Sequence, residues 1–140
     1  MSRTQLIWLH LALALTAITG VVFAVMKYFM QSEDEFAVAN HPMQPYMLAA
    51  HVVIAPALLF LLGWTFSNHM VPKYRFGDGS NVKSGIAQMA LIVPMALSAY
   101  LLQIATNDTM RDVMAWAHWI TSGVFVIGYL VHLIKPKTQA

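Results

Sequence analysis

Cysteine is absent from this chain of 140 residues. Its absence excludes a disulfide, a cysteine-ligated iron–sulfur cluster and the covalent attachment of a c-type haem. Charge is also scarce, since charged residues make up 10% of the chain while 59% of it is hydrophobic. The net charge is only +2 and is explained by an excess of basic residues at one set of ends of the apolar runs, so we predict no nucleic-acid partner.

Four long apolar runs make up most of the sequence. They cover about residues 5–29, 45–66, 84–104 and 112–134. Each run reaches the roughly 20 residues that a helix needs to cross a ~30 Å hydrocarbon core, and none alternates as a strand does. Lipid admits only helices or closed barrels. We therefore predict an all-α fold, a four-helix transmembrane bundle in contact with lipid that forms one domain over residues 1–140.

The charges between the runs predict the orientation of the chain. The basic residues at one set of ends are Arg3, Lys73, Arg75, Lys83, Lys135 and Lys137. The opposite loops carry Glu33, Asp34, Glu35, Asp108 and Asp112, with Lys27 and Arg111 as their only bases. Cytoplasmic loops are enriched in Lys and Arg. We expect both termini to be cytoplasmic, in a multi-pass protein of the bacterial inner membrane.

Four histidines lie inside the apolar runs. They are His10 in the first run, His51 in the second, and His118 and His132 in the fourth. The last two are 14 residues apart, so they return to within about 40° of one helix face and lie about 21 Å apart along its axis. An imidazole costs free energy in hydrocarbon, so intramembrane histidines are functional candidates.

The depth of these histidines predicts how they pair. His51 and His118 lie at comparable distances from the periplasmic ends of their runs, whereas His10 and His132 lie toward the cytoplasmic ends. Two histidines on one haem iron leave no open coordination position, which suits electron transfer. We therefore predict two non-covalently bound haems b, one held by His51 and His118 and the other by His10 and His132.

At these four positions the chain resembles the di-haem membrane cytochromes b of the bacterial cytochrome b561 type, which include the cytochrome b subunits of respiratory formate dehydrogenases and nickel–iron hydrogenases. That family places one ligand on its first helix, one on its second and two on its fourth, 14 residues apart. The resemblance implies that the haem ligands are His10, His51, His118 and His132. It also implies electron transfer across the membrane between a quinone pool and a periplasmic or membrane redox partner protein, in a homodimer or a larger complex.

The loops are shorter than is usual in that family, in which loop residues often help to build the quinone site. Candidates near the predicted cytoplasmic haem are Asn68, His69 and Asn81. Along one helix His69 would lie about 27 Å from His51, some 6 Å more than the spacing in the fourth run, so His10 is favoured as the partner of His132. We expect His69 at the helix end before Pro72, as an interface residue or a proton donor to quinone, with ligation as the alternative.

Small and polar residues give further expectations. Gly20 leaves room for another helix or a flat ligand edge, and Gly123 and Gly128 would admit porphyrin edges or close helix packing. The third run lacks histidine and is expected to be a scaffold with Gln88 as a polar packing group. Asp108 or Thr109 should cap the fourth helix.

Two other kinds of membrane protein use intramembrane histidines. A proton or metal-ion transporter would employ them as relay groups or ligands, with acidic partners inside the spans; only Asp112, at a span end, is acidic. A single-haem membrane anchor of a respiratory complex, like those of succinate dehydrogenases, needs only one pair. Four histidines at two matched depths favour two haems, in an electron-transfer protein or a quinone-reactive subunit of an oxidoreductase.

Overall fold

The computed structural model describes residues 2–30, 32–34, 36–37, 39–76 and 82–134. Its elements are α1 (Arg3–Tyr28), α2 (Gln44–Thr65), a π-helical turn (Phe66–Met70), α3 (Val71–Phe76), α4 (Val82–Ile104) and α5 (Asp108–Ile134). No strand occurs among the described residues. The predicted all-α class is therefore confirmed.

Four helices are long and apolar enough to cross a membrane. They are α1, the continuous helix from Gln44 to Phe76, α4 and α5. Only a small part of the most apolar stretch of each helix is buried within the protein, as expected where lipid rather than protein covers the side chains. The chain is thus a multi-pass membrane protein, while the bacterial inner membrane and the cytoplasmic termini stay predictions.

The contacts of the chain divide it into two units, residues 1–69 and 70–140. In the first unit α1 packs on α2, and in the second α4 packs on α5. Among the described residues of the first unit, the buried side chains are Leu9, Ala12, Thr16, Ala24, Leu58 and Leu62. In the second unit the buried side chains of the described residues are Ser98 and Phe125. Each unit is therefore a helix pair with a narrow interface.

Side-chain caps fix the beginnings of two helices. The Ser2 hydroxyl accepts from the Gln5 N–H at 3.2 Å and the Gln5 side chain accepts from the Ser2 N–H at 2.9 Å, a capping box that starts α1. Before α5, the Asn107 side chain accepts from the Met110 N–H at 2.7 Å. Asn107 is therefore the cap, and the prediction of Asp108 or Thr109 was wrong.

The second long helix continues beyond the end predicted for it at residue 66. It passes through the π turn Phe66–Met70 and goes on as α3. Pro72 has no N–H for the Asn68 carbonyl, and its ring would clash with that carbonyl in a regular α-helix. A single π turn widens the helix there and accommodates the ring. His69 consequently lies within a helical turn instead of beyond a helix end.

Gln88 of α4 lies against the backbone of α5. With its amide oriented to match its neighbours, the nitrogen donates to the Phe125 carbonyl and the oxygen accepts from the Tyr129 N–H, each at 3.1 Å. A Cβ at Gly128 would collide with this amide, whereas a Cβ at Gly123 would meet nothing within 4 Å. Gln88 is therefore a polar packing group, as predicted. It fills the space at Gly128 that the sequence left open to a porphyrin edge.

We expect Gly128→Ala to lower the free energy of unfolding by about 1–3 kcal/mol, because the new Cβ displaces the Gln88 amide. The matched change Gly123→Ala should keep the stability or raise it by up to about 1 kcal/mol, since alanine favours the helix. Detergent-induced unfolding followed by circular dichroism measures both variants. Equal losses of stability in the two variants would contradict the placement of the Gln88 amide beside Gly128.

Candidate functional site

His51 is held against the backbone of the other helix of its pair. It is half-buried in α2, and its Nδ1 lies 2.9 Å from the Thr16 carbonyl oxygen in α1. A carbonyl oxygen can only accept, so Nδ1 carries the proton and donates it. In the neutral ring the lone pair then belongs to Nε2, which is the nitrogen able to bind a metal.

Gly20 makes this contact possible. A Cβ at residue 20 would lie 2.9 Å from Cε1 and 3.0 Å from Nδ1 of His51. Real side chains do not approach so closely, so any larger residue would push the imidazole away from the Thr16 carbonyl. The space that the sequence left open to a helix or a flat ligand edge is occupied by the imidazole of His51.

His118 is held in the same way in the other helix pair. It is half-buried in α5, and its Nδ1 donates to the Met95 carbonyl of α4 at 3.0 Å. The Ser98 hydroxyl donates to the same carbonyl at 3.0 Å. The Nδ1 atom of His118 must therefore carry a proton, and its Nε2 has the lone pair.

The two helix pairs build matching clusters around these histidines. In each, a helix carbonyl accepts both from an imidazole Nδ1 and from the hydroxyl of the residue three positions later. The Thr19 hydroxyl lies 3.1 Å from the Thr16 carbonyl oxygen, which corresponds to the contact between Ser98 and Met95. We call them the first cluster (Thr16, Thr19, His51) and the second cluster (Met95, Ser98, His118).

His132 has a different partner. Its Nδ1 lies 3.0 Å from the Ser84 hydroxyl of α4, and a hydroxyl can donate or accept, so either tautomer fits. Both His118 and His132 contact α4, so one face of α5 presents both imidazoles, as their spacing predicted. The scaffold helix α4, which has no histidine, thus supplies a partner to each of them.

His10 lies in the first helix pair. It is half-buried, follows the buried residue Leu9, and its Nε2 atom is itself buried. The structure thus places His10 and His51 in one unit and His118 and His132 in the other. Each predicted pair takes one histidine from each unit, so the pairing stays a prediction.

The candidates for a quinone site lie in or after the π turn. Asn68 and His69 are both exposed on that turn, and Asn81 lies outside the described residues. A π turn within an α-helix occurs often at functional sites. His41 lies in the loop before α2, where its Nδ1 accepts from the Met43 N–H at 3.1 Å. That local contact explains His41 without a role in ligand binding.

A metal centre with three or more protein ligands is a different kind of site. Within the part of the chain that the structure describes, no group of three His, Cys, Asp or Glu side chains could hold a metal ion. Haem iron needs only two axial ligands from the protein, because the porphyrin supplies the other four. Histidines arranged singly or in pairs are therefore compatible with haem.

Comparisons of the chain with protein-family models, with curated proteins and with solved structures found no match. The histidines and their contacts are therefore the features that indicate a function.

We expect Gly20→Ala to lower the free energy of unfolding by about 1–3 kcal/mol, because the added Cβ overlaps the His51 imidazole. The control is Gly63→Ala in the same helix pair, where a Cβ meets nothing within 4 Å and helix propensity should add up to about 1 kcal/mol of stability. Thermal unfolding in detergent compares the two. A Gly20→Ala protein as stable as the wild type would show that His51 does not occupy this position.

Proposed function

We propose that the chain is a di-haem b-type membrane cytochrome that transfers electrons across the membrane between a quinone pool and a redox partner protein. One observation supports this proposal most strongly. Two intramembrane histidines, His51 and His118, donate Nδ1–H to backbone carbonyls of a neighbouring helix. The ligand set was proposed from the sequence, and these contacts support it independently.

Metal-ligating histidines almost always donate their second ring N–H to a carbonyl, a carboxylate or a water. The contact fixes the tautomer, holds the ring in one orientation and makes the coordinating nitrogen more basic. His51 and His118 have this arrangement, in which Nε2 is the ring nitrogen with the lone pair. When bound, haem would supply an iron centre that gains and loses one electron between two histidine nitrogens.

Burial distinguishes the four candidate ligands from His69 but not from the loop histidine His41. The four candidates and His41 are half-buried, whereas His69 is exposed. An ionisable group within a membrane usually faces the protein interior or a polar cavity and pairs with a protein group. His51 with His118, and His10 with His132, remain the pairs that we propose from depth.

Helix α5 would connect the two haem levels. His118 and His132 lie on one of its faces and are separated by about 21 Å along the axis. Each ring also contacts α4, through Met95 and Ser84 respectively. Two ligands on one helix would hold two haems at a constant separation, which a reproducible rate of electron transfer requires.

The quinone would react at the π turn within the second long helix. Reduction or oxidation of a quinone moves protons as well as electrons, so polar and titratable groups must lie within hydrogen-bond reach. Asn68 and His69 are exposed on one turn and offer an amide and an imidazole. Asn81 is kept as a third candidate from the sequence.

The pyridine haemochrome assay tests the haem assignment. We expect two haems b per polypeptide in the purified wild type, one after His132→Ala, and two after the control change His41→Ala. The reduced-minus-oxidised spectrum should show six-coordinate low-spin bands. A well-folded protein that contains no haem, although haem was supplied, would overturn the proposal and favour the transporter.

We expect His69→Ala to keep both haems but to slow their reduction by a quinol by at least about tenfold, because a positioned acid–base group is lost. Ser67→Ala changes the same π turn without removing a titratable group, so the haems of this variant should be reduced at the wild-type rate. Stopped-flow absorbance of the haem α-band measures both variants, and dithionite should still reduce both fully. An unchanged rate in His69→Ala would remove His69 from the quinone site.

A further inference from the structure

We propose that Ser98 and Thr19 are positioning residues. Each hydroxyl would weaken the hydrogen bond between a histidine Nδ1–H and its carbonyl acceptor, and thereby raise the reduction potential of the iron that the histidine binds. The inference rests on the proposed function, since it concerns the same ligands. It gives a role to two hydroxyl groups that make no strong hydrogen bond to a ligand histidine.

The second cluster shows the arrangement most simply. Ser98 is 4% exposed, so its hydroxyl lies in a low-dielectric environment where polar contacts are strong. That hydroxyl and the His118 Nδ1–H both donate to the Met95 carbonyl, each at 3.0 Å. The two donors therefore share one acceptor oxygen.

Sharing an acceptor weakens each bond to it. A hydroxyl that donates to the Met95 carbonyl withdraws electron density from the oxygen, so the oxygen attracts the His118 Nδ1–H less. The weaker that bond, the less basic the Nε2 atom on the other side of the ring. A less basic ligand stabilises ferric iron less relative to ferrous iron, and the reduction potential rises. Ser98 should therefore hold the potential above the value that the carbonyl alone would give.

The first cluster has the same contacts, but its hydroxyl interacts less strongly with the shared carbonyl. The Thr19 hydroxyl lies 2.7 Å from the Leu15 carbonyl oxygen and 3.1 Å from that of Thr16, so its proton is shared between two acceptors. Its oxygen lies 3.4 Å from the His51 Nδ1 atom, too far for more than a weak contact. Thr19 thus withdraws less density from its carbonyl than Ser98 does, and its removal should act in the same direction but less strongly.

Potentiometric titration of the haem α-band tests this inference in the full-length protein in detergent. We expect Ser98→Ala to lower the midpoint potential of one of the two haem transitions, with both haems retained and low-spin by electron paramagnetic resonance. Thr19→Val should give a smaller shift of the same sign. The conservative change Ser98→Thr keeps a hydroxyl and should restore the wild-type potential.

Thr65→Val is the matched control. The Thr65 hydroxyl donates to the Leu61 carbonyl of its own helix at 2.8 Å, so its loss should leave both potentials unchanged. Ser98→Ala with two haems and an unchanged or raised potential would overturn the inference, as would an equal shift in Thr65→Val. If Ser98→Ala does not fold, Thr19→Val decides in the other helix pair. Absence of haem in the wild type would overturn the proposed function itself, before any variant is measured.

Discussion

Every polar group within the hydrocarbon region must find its partner inside the protein, because lipid offers none. The hydroxyls of Thr16 and Thr121 meet this requirement within their own helices, at 2.8 Å and 2.7 Å from the carbonyls four residues earlier. An imidazole cannot fold back in this way, so it reaches to the next helix. His51 and His118 do so, and each thereby becomes a link between two helices.

These links matter because helix association in lipid has little hydrophobic driving force. The units bury few side chains, and in the second unit these are Ser98 and Phe125 among the described residues. Polar contacts at His118 and Gln88 supplement that narrow interface. The same hydrogen bond that joins the helices also orients the ring, so loss of a ligand contact and loss of helix packing are physically coupled.

The hydropathy of the sequence was sufficient to predict four helices and their approximate extents, because a run of about 20 apolar residues is typical of a transmembrane helix. The predicted ends failed where a single side chain decides, as at Asn107 and Pro72. The histidines could be named as candidates from their positions alone. Their partners could not, since the Thr16 and Met95 acceptors are backbone carbonyls that any residue would carry. The sequence left Gly128 open to a porphyrin edge or to close helix packing, because no pattern reveals that Gln88 lies beside it.

The acceptor of the Nδ1 proton limits how His51 and His118 could take part in a proton relay. A relay histidine must receive a proton at one ring nitrogen and release one from the other, so both neighbours have to exchange protons. The carbonyls beside His51 and His118 accept a hydrogen bond but have no proton to give, and Nδ1 therefore keeps its own. Such a ring is fixed in tautomer and orientation, which is a disadvantage for a proton relay and an advantage for a metal ligand. The contacts thus favour a role in which these two imidazoles hold a group in place.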